Sequence, residues 1–149
     1  MKKKDQDNVI AVNRKAFHDY FIEDTFEAGI VLAGSEVKSL RLHNVSFVDS
    51  YIQINGYDVI LLNLNISPYE KGSFFNLPPK RERRLLLNKR EINKLKALVE
   101  RKGYTLVPTK LYFKQSLVKV EVGVALGKHT YDKRRAIMEK DLKRNEERR

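Results

Sequence analysis

The sequence predicts a mainly β protein: a small closed antiparallel β-barrel with flanking α-helices and a basic C-terminal tail that is disordered when free. Three observations lead there. Val118, Val120, Val122 and Val124 alternate with Lys119, Glu121, Gly123 and Ala125, the two-residue period of a strand. Asn55-Gly56 lies between two β-prone runs, where both turn residues accept positive φ, and marks a hairpin. Beyond Gly127 the apolar residues thin to Tyr131, Ala136, Ile137, Met138 and Leu142, too few to offset the ordering entropy of that segment. Several strands joined by hairpins lose their sticky edges by closing on themselves. The expected division is a domain over residues 1–126 and a tail over 127–149.

In chain order, residues 1–8 form a lysine-rich start, Val9 to Val12 a short apolar run, and Asn13 to Tyr20 a polar connection. Tyr20 to Leu32 is β-prone and passes through Ala33-Gly34 into a short helix. Ser35 is placed to cap that helix, and Glu36 favours its positive end. Val37 and Leu40 supply one buried stripe, too little for independence, so strand and helix must close onto sheet elsewhere. Phe47 to Ile54 and Tyr57 to Ile66 flank the hairpin, with Ile60, Leu62, Leu64 and Ile66 expected on one face. Residues 70–79 make a loop whose Phe74 and Phe75 are expected to tuck over a barrel end. Leu85-Leu86-Leu87 is a short apolar run expected to be buried. Asn88 and Glu91 then form a capping box, Ile92, Leu95, Leu98 and Val99 repeat with a helical period, and Gly103 stops the helix. Its basic residues fall off the apolar stripe. Tyr104 to Phe113 is β-prone, with Pro108 implying an edge or a bend. The tail has good helix formers from Ala136 onward and is expected to become helical against a charged partner.

Charge placement narrows the function. Net charge is +11 over 149 residues. Residues 80–102 carry ten basic and three acidic side chains, and residues 127–149 carry nine and five, so these two segments hold the whole excess. Such segregation points to a polyanion met at two places; the plainer account is a solvated helix face and a soluble tail. No cysteine is present, which rules out disulfides and thiol chemistry and suits a reducing cytoplasm. No apolar run reaches membrane-spanning length, and Met-Lys-Lys-Lys is not followed by a signal-peptide core.

For chemistry, His18 and Asp19 beside Glu23, Asp24 and Glu27 suggest a metal or acid–base cluster, hence a metal-dependent nuclease. Strand alternation divides those acids between two faces, and no paired-histidine spacing exists. Gly29, Gly34 and Gly72 form no phosphate loop. No enzyme, cofactor or metal is expected. An aromatic-bearing barrel beside a basic helix instead follows the logic of oligonucleotide-binding barrels, where rings stack bases and cations follow the backbone. Tyr20, Tyr51, Tyr104 and Tyr112 are the candidate rings, though tyrosines are common in strands without any such task. A generic ribosomal or RNA-chaperone barrel is the alternative.

Several strings resemble one family. They are Asn13-Arg-Lys-Ala-Phe-His-Asp-Tyr20, Ile22-Glu-Asp-Thr-Phe-Glu-Ala-Gly-Ile30 and Gly34-Ser-Glu-Val-Lys-Ser-Leu-Arg41, then Asp49-Ser-Tyr51, Pro68-Tyr69 and Arg84-Leu-Leu-Leu87. Gly103-Tyr-Thr-Leu-Val-Pro108, Gly127-Lys128 and Asp132-Lys-Arg134 continue the series. From about Asn13 to Arg135 the chain is similar to the transfer-messenger-RNA-binding proteins (small protein B) of bacterial ribosome rescue. The resemblance implies a barrel related to the oligonucleotide-binding fold. It also implies binding to the transfer-RNA-like domain of transfer-messenger RNA, in place of the missing anticodon arm, and delivery to stalled ribosomes for trans-translation. A monomer in a 1:1 complex with the RNA is expected.

Carried over position by position, Asn13, Arg14, Lys15, His18, Glu27, Leu86 and Lys119 fall at RNA-binding positions. Gly127, Lys128, Tyr131, Asp132, Lys133 and Arg134 fall in the tail segment that engages the decoding centre, and Ile137 and Met138 begin the helix entering the empty message channel. Asn13 is expected to donate to a phosphate or base edge, and Glu27 to accept from a base or position a lysine. Leu86 offers apolar contact with an unstacked base, or simple packing. The chain departs from the family pattern at His43-Asn44 for Gly-Lys, which removes a glycine helix cap, and at Leu77 for histidine. Ser35 replaces threonine, and Tyr131 stands where some members have histidine.

Overall fold

The computed structural model describes residues 8–69 and 77–147, with the side chains of His129, Tyr131 and residues 141–147 outside that description. The expectations placed on residues 1–7, on Phe74 and Phe75, and on the Tyr131 ring therefore lie outside the described residues.

The described chain is mainly β with flanking helices. In order come β1 (Val9–Val12), α1 (Arg14–Asp19), β2 (Tyr20–Ile30), α2 (Gly34–Arg41), β3 (Val45–Ser46), β4 (Tyr51–Asn55) and β5 (Asp58–Leu62). They are followed by β6 (Asn65–Ile66), β7 (Arg83–Leu86), α3 (Lys89–Lys102), β8 (Thr105–Lys114), β9 (Leu117–Gly127) and α4 (Lys128–Glu147). The main sheet is antiparallel in the order β1-β8-β4-β5-β7-β2-β9, and β9 pairs again with β8. The ladder that leaves β8 through β4 thus returns to it through β9. β3 and β6 make a separate two-stranded pair.

The inner faces meet in one core containing Val118, Val120, Val122 and Val124, with Leu61, Leu106 and Leu111. Each fully buried side chain of this size contributes roughly 1.5–3 kcal/mol. Helices cover what the strands leave open: α2 inserts Leu40, and α3 inserts Ile92 and Leu95. α3 has the expected ends. The Glu91 amide donates to Asn88 Oδ1 at 2.8 Å, Glu91 Oε1 accepts from the Asn88 amide at 3.3 Å, and Gly103 closes the helix at φ +70°.

Several local expectations are corrected. Ala33, not Ser35, is the N-cap of α2; Glu36 reaches back to accept from the Ala33 amide at 3.0 Å. The hairpin loop is Gly56-Tyr57, because Asn55 pairs with Asp58, and Gly56 alone takes the positive φ (+65°). Val59 and Leu61, rather than Ile60 and Leu62, point inward. Asn63 at φ +62° breaks the alternation there, so Leu64 and Ile66 are buried with the opposite parity. The Leu85-Leu86-Leu87 run is not uniformly buried: in β7 Arg83 and Leu85 point inward while Leu86 is 55% exposed. Pro108 lies beside a register shift between β8 and β9, and is buried in a strand with neighbours on both sides. A bend, not an edge, accommodates it. His43 at φ +60° takes the left-handed position a glycine would hold, and its Nδ1 lies 2.6 Å from the Ile10 carbonyl. α4 starts at Lys128, eight residues before Ala136, and every side chain described from Asp132 to Lys140 is exposed.

Candidate nucleic-acid interface

Strand alternation sends Lys119, Glu121, Gly123 and Ala125 to the outside of β9. Their cross-strand partners share that outer face. Lys119 stands between Gly29 of β2 and Tyr112 of β8, and Gly29 is in turn opposite Leu86 of β7. One row thus crosses four strands: Leu86, Gly29, Lys119, Tyr112. Gly29 makes room for it, since a Cβ there would come within 3.3 Å of Leu86 Cβ. The next row holds Glu27, Glu121 and Lys110.

Glu27 directly faces Glu121, a like-charge pairing that costs stability unless each carboxylate has a cation. Each has one. Lys110 Nζ lies 3.8 Å from Glu121, and Lys114 Nζ lies 3.2 Å from Glu27. The Tyr112 hydroxyl donates to Glu27 at 2.6 Å. That hydrogen bond, with the neighbouring charges of Lys114 and Lys119, holds the Glu27 carboxyl below its ordinary value against the opposing push of partial burial. Glu27 is therefore an anion that orders a ring and a lysine on an open surface.

α1 lies on the same outer face. Ala16 packs against Val107 and Ala125, with Tyr20 and Ile22 beside them. Asn13 is 7% exposed; its Nδ2 donates to the Pro108 carbonyl at 2.7 Å, and its Oδ1 accepts from the Ala16 amide at 3.3 Å. Its side chain caps α1 and ties it to β8. Arg14, Lys15 and His18 project to solvent from the helix it anchors. His18 Nδ1 lies 2.9 Å from Asp19. Between α1 and the start of β4 is a cleft of about 150 Å³ lined by Lys15, Asp19, Tyr20 and Tyr51 among others.

The acids suspected of metal binding are not brought together. Glu23 accepts from the Tyr104 hydroxyl, Asp19 pairs with His18, and Glu27 belongs to the outer row. Among the described residues no group of three His, Asp or Glu side chains is arranged to hold a metal.

The tail positions lie elsewhere. Gly127 ends β9, and Lys128 opens α4. Asp132, Lys133, Ile137 and Met138 are exposed, with Ile137 and Met138 at 60% and 65%. Arg134 is seated: its Nη2 donates to the Lys102 carbonyl at 2.5 Å, and its guanidinium carbon lies 5.7 Å from the Tyr104 ring centre. Lys114 and Gly29 were absent from the sequence-derived set, and Tyr112 stood in it only as one of four candidate rings. Placing the Gln115-Ser116 turn would have brought out Tyr112, since that turn puts it opposite Lys119.

Comparison with known proteins identifies the family. The family model described as SmpB protein matches residues 10–149. An SsrA-binding protein of Thermoanaerobacter pseudethanolicus is 58% identical over 140 residues, covering 94% of this chain and 90% of the relative. Another, from Caldanaerobacter subterraneus subsp. tengcongensis, is 57% identical over 143 residues, covering 96% and 90%. A solved chain described as "tmRNA-SmpB: a journey to the center of the bacterial ribosome" superposes with TM-score 0.67 at 50% identity, covering 78% of this chain and 82% of that one. With a family model spanning nearly its whole length, the chain belongs to the SmpB protein family.

Proposed function

We propose that this chain is an RNA-binding adaptor that binds the transfer-RNA-like domain of transfer-messenger RNA and brings it to stalled ribosomes for trans-translation. Relatives named for binding SsrA, and a neighbour described with transfer-messenger RNA at the centre of the ribosome, support that reading. The observation that carries it at residue level is the outer row of Leu86, Lys119 and Tyr112 with Glu27 beside it. An exposed leucine, a ring and a lysine on a rigid sheet suit an unstacked base and its phosphate. Glu27 keeps Tyr112 and Lys114 in place, while Asn13 holds the helix that presents Arg14, Lys15 and His18.

The cyclic strand pairing supports a closed barrel related to the oligonucleotide-binding fold, acting as a rigid, non-enzymatic body. Residues 127–149 act as a second unit, loose in the free cytoplasmic protein and helical in the message channel. Lys128, Asp132, Lys133 and Arg134 meet the decoding centre there, with Tyr131 stacking on ribosomal RNA. The exposure of Ile137 and Met138 supports a helix made to be covered.

Two measurements test this. In competition at fixed salt, transfer-messenger RNA should displace bulk RNA from the protein; equal displacement would favour the generic RNA-chaperone alternative, since the electrostatic contribution alone does not discriminate. Removal of residues 128–149 should abolish peptide tagging on stalled ribosomes while leaving RNA affinity within about twofold, the scale of losing a few distant screened charges. Loss of RNA binding in the truncated chain would refute the two-unit assignment.

A further inference from the structure

The cations of this protein divide into two kinds. On the sheet and beneath it all but Lys119 are matched: Lys114 with Glu27, Lys110 with Glu121, Arg84 with Asp58, and Arg81 and Arg83 with Glu36. On α3 they are not. Lys89, Arg90, Lys94, Lys96 and Arg101 form no ion pair with any described carboxylate. A helix carrying six basic and two acidic residues, one of which (Glu91) is used at its own cap, is a concentrated positive surface.

Helical geometry sorts these cations into two rows. At about 100° per residue, Arg90, Lys94 and Arg101 fall along one flank and Lys89 and Lys96 along another, roughly a third of the circumference away. The crest between them carries only Asn93 and Ala97, with Glu100 beside the lysine row. Each row rests on a ring. Lys94 Nζ lies 5.5 Å from the centre of Phe26, and Lys89 and Lys96 lie 6.0 and 5.7 Å from the centre of Tyr57. Tyr57 is 57% exposed at the tip of its hairpin. The arrangement is a low ridge with positive charge on both sides, the shape that straddles a groove and reaches the phosphates of both strands.

Its position selects the RNA. α3 begins three residues after Leu86, and Lys94 reaches Phe26 on the face of β2 opposite to Glu27, so the ridge rises beside the Leu86 end of the outer row rather than within it. We propose that the ridge of α3, with Tyr57, is a further RNA surface that grips the backbone of a double-helical segment of transfer-messenger RNA next to the region held by Leu86 and Lys119. It reads shape and phosphate rather than sequence, as expected for double-stranded RNA. The inference rests on the adaptor function proposed above.

The test is the salt dependence of transfer-messenger RNA binding by the full chain without ribosomes. In an Arg90→Gln/Lys94→Gln/Arg101→Gln triple variant, the slope of log Kd against log salt should shrink by about two to three, with affinity near physiological salt reduced roughly tenfold or more. Glu100→Lys adds a cation beside the lysine row and should steepen the slope by about one; it keeps the proposal testable should the triple variant fold poorly. Unchanged slopes in a setting where the wild-type chain binds transfer-messenger RNA selectively would overturn the ridge and leave the adaptor function standing. A defect seen only in ribosomal tagging, with free RNA binding intact, would overturn it as well. Wild-type protein that shows no preference for transfer-messenger RNA would instead bring down the adaptor function itself.

Discussion

Glu36 and Glu27 are each surrounded by cations, and the two sites do opposite things with the same chemistry. The Glu36 side chain is 6% exposed and receives Arg83 Nε at 2.8 Å and Arg81 Nη2 at 2.5 Å. Arg83 is fully buried and also donates to the carbonyls of Leu64, Arg81 and Pro79. This knot ties α2 to β7 and to the segment just before it. Glu27 is 40% exposed and holds only the Tyr112 hydroxyl and one lysine. In the interior a carboxylate must have all its partners, because an unmatched buried charge costs several kcal/mol. On the surface water supplies what the protein omits, so the charges around Glu27 stay open to solvent. Burial, not residue type, separates the structural cluster from the one proposed to bind RNA.

The hardest blow to that contrast is Glu36→Gln. Arg83 would remain buried without a counter-charge, and the loss should approach about 3 kcal/mol, roughly 10 °C in Tm for a chain of this size; a shift under about 2 °C would show the knot to be dispensable. The same variant separates the clusters by pH. Burial pushes the Glu36 carboxyl up, but hydrogen bonds from Arg81, the Ala33 amide and Arg83, with the Arg83 charge, outweigh it and hold the carboxyl below its ordinary value. A carboxyl depressed in the folded state gives stability that is complete above its unfolded pKa of about 4.3 and is lost as pH falls through the folded value. Denaturant melts should therefore show wild-type stability declining below about pH 4.3, with a flatter acid limb in Glu36→Gln.

On the surface cluster the expected order reverses. Leu86→Ala removes an exposed side chain and should change stability by no more than about 0.5 kcal/mol, while transfer-messenger RNA affinity falls about tenfold, the scale of a 1.4 kcal/mol contact. A stability loss with unchanged affinity would make Leu86 a packing residue. The smallest effect belongs to Tyr112→Phe. Losing one partly exposed hydrogen bond should cost less than about 1 kcal/mol, and NMR titration should find the Glu27 carboxyl moved up toward its ordinary value. If the Glu27 titration did not move, the Tyr112 contact would not be what orders this surface.

Much of this molecule is legible from its residues. The Val118–Val124 alternation, the Asn88–Glu91 box and the Gly103 stop are local devices whose geometry depends on neighbours a few residues away, and all three stand in the structure. At the end of β5 the reading slipped on a single backbone angle. Asn63 at positive φ sets Leu64 and Ile66 out of step with Val59 and Leu61, and no propensity argument reveals an asparagine that takes that conformation. Asn13 was assigned to RNA by its family position. Its burial against Pro108, ninety-five positions away, is invisible without β8 in place.

By itself the sequence determined the strand and helix patterns, the segregation of charge into two segments, and the family that those strings carry. Only the tertiary structure decided which charges are spent. It buried Arg83 on Glu36, turned Leu86 outward beside Gly29, and set Tyr112 and Lys114 on Glu27 across eighty-five and eighty-seven positions of chain. The physical reason is that periodicity is a property of near neighbours, whereas the matching of a charge depends on strands, distant in sequence, that meet only in the folded sheet.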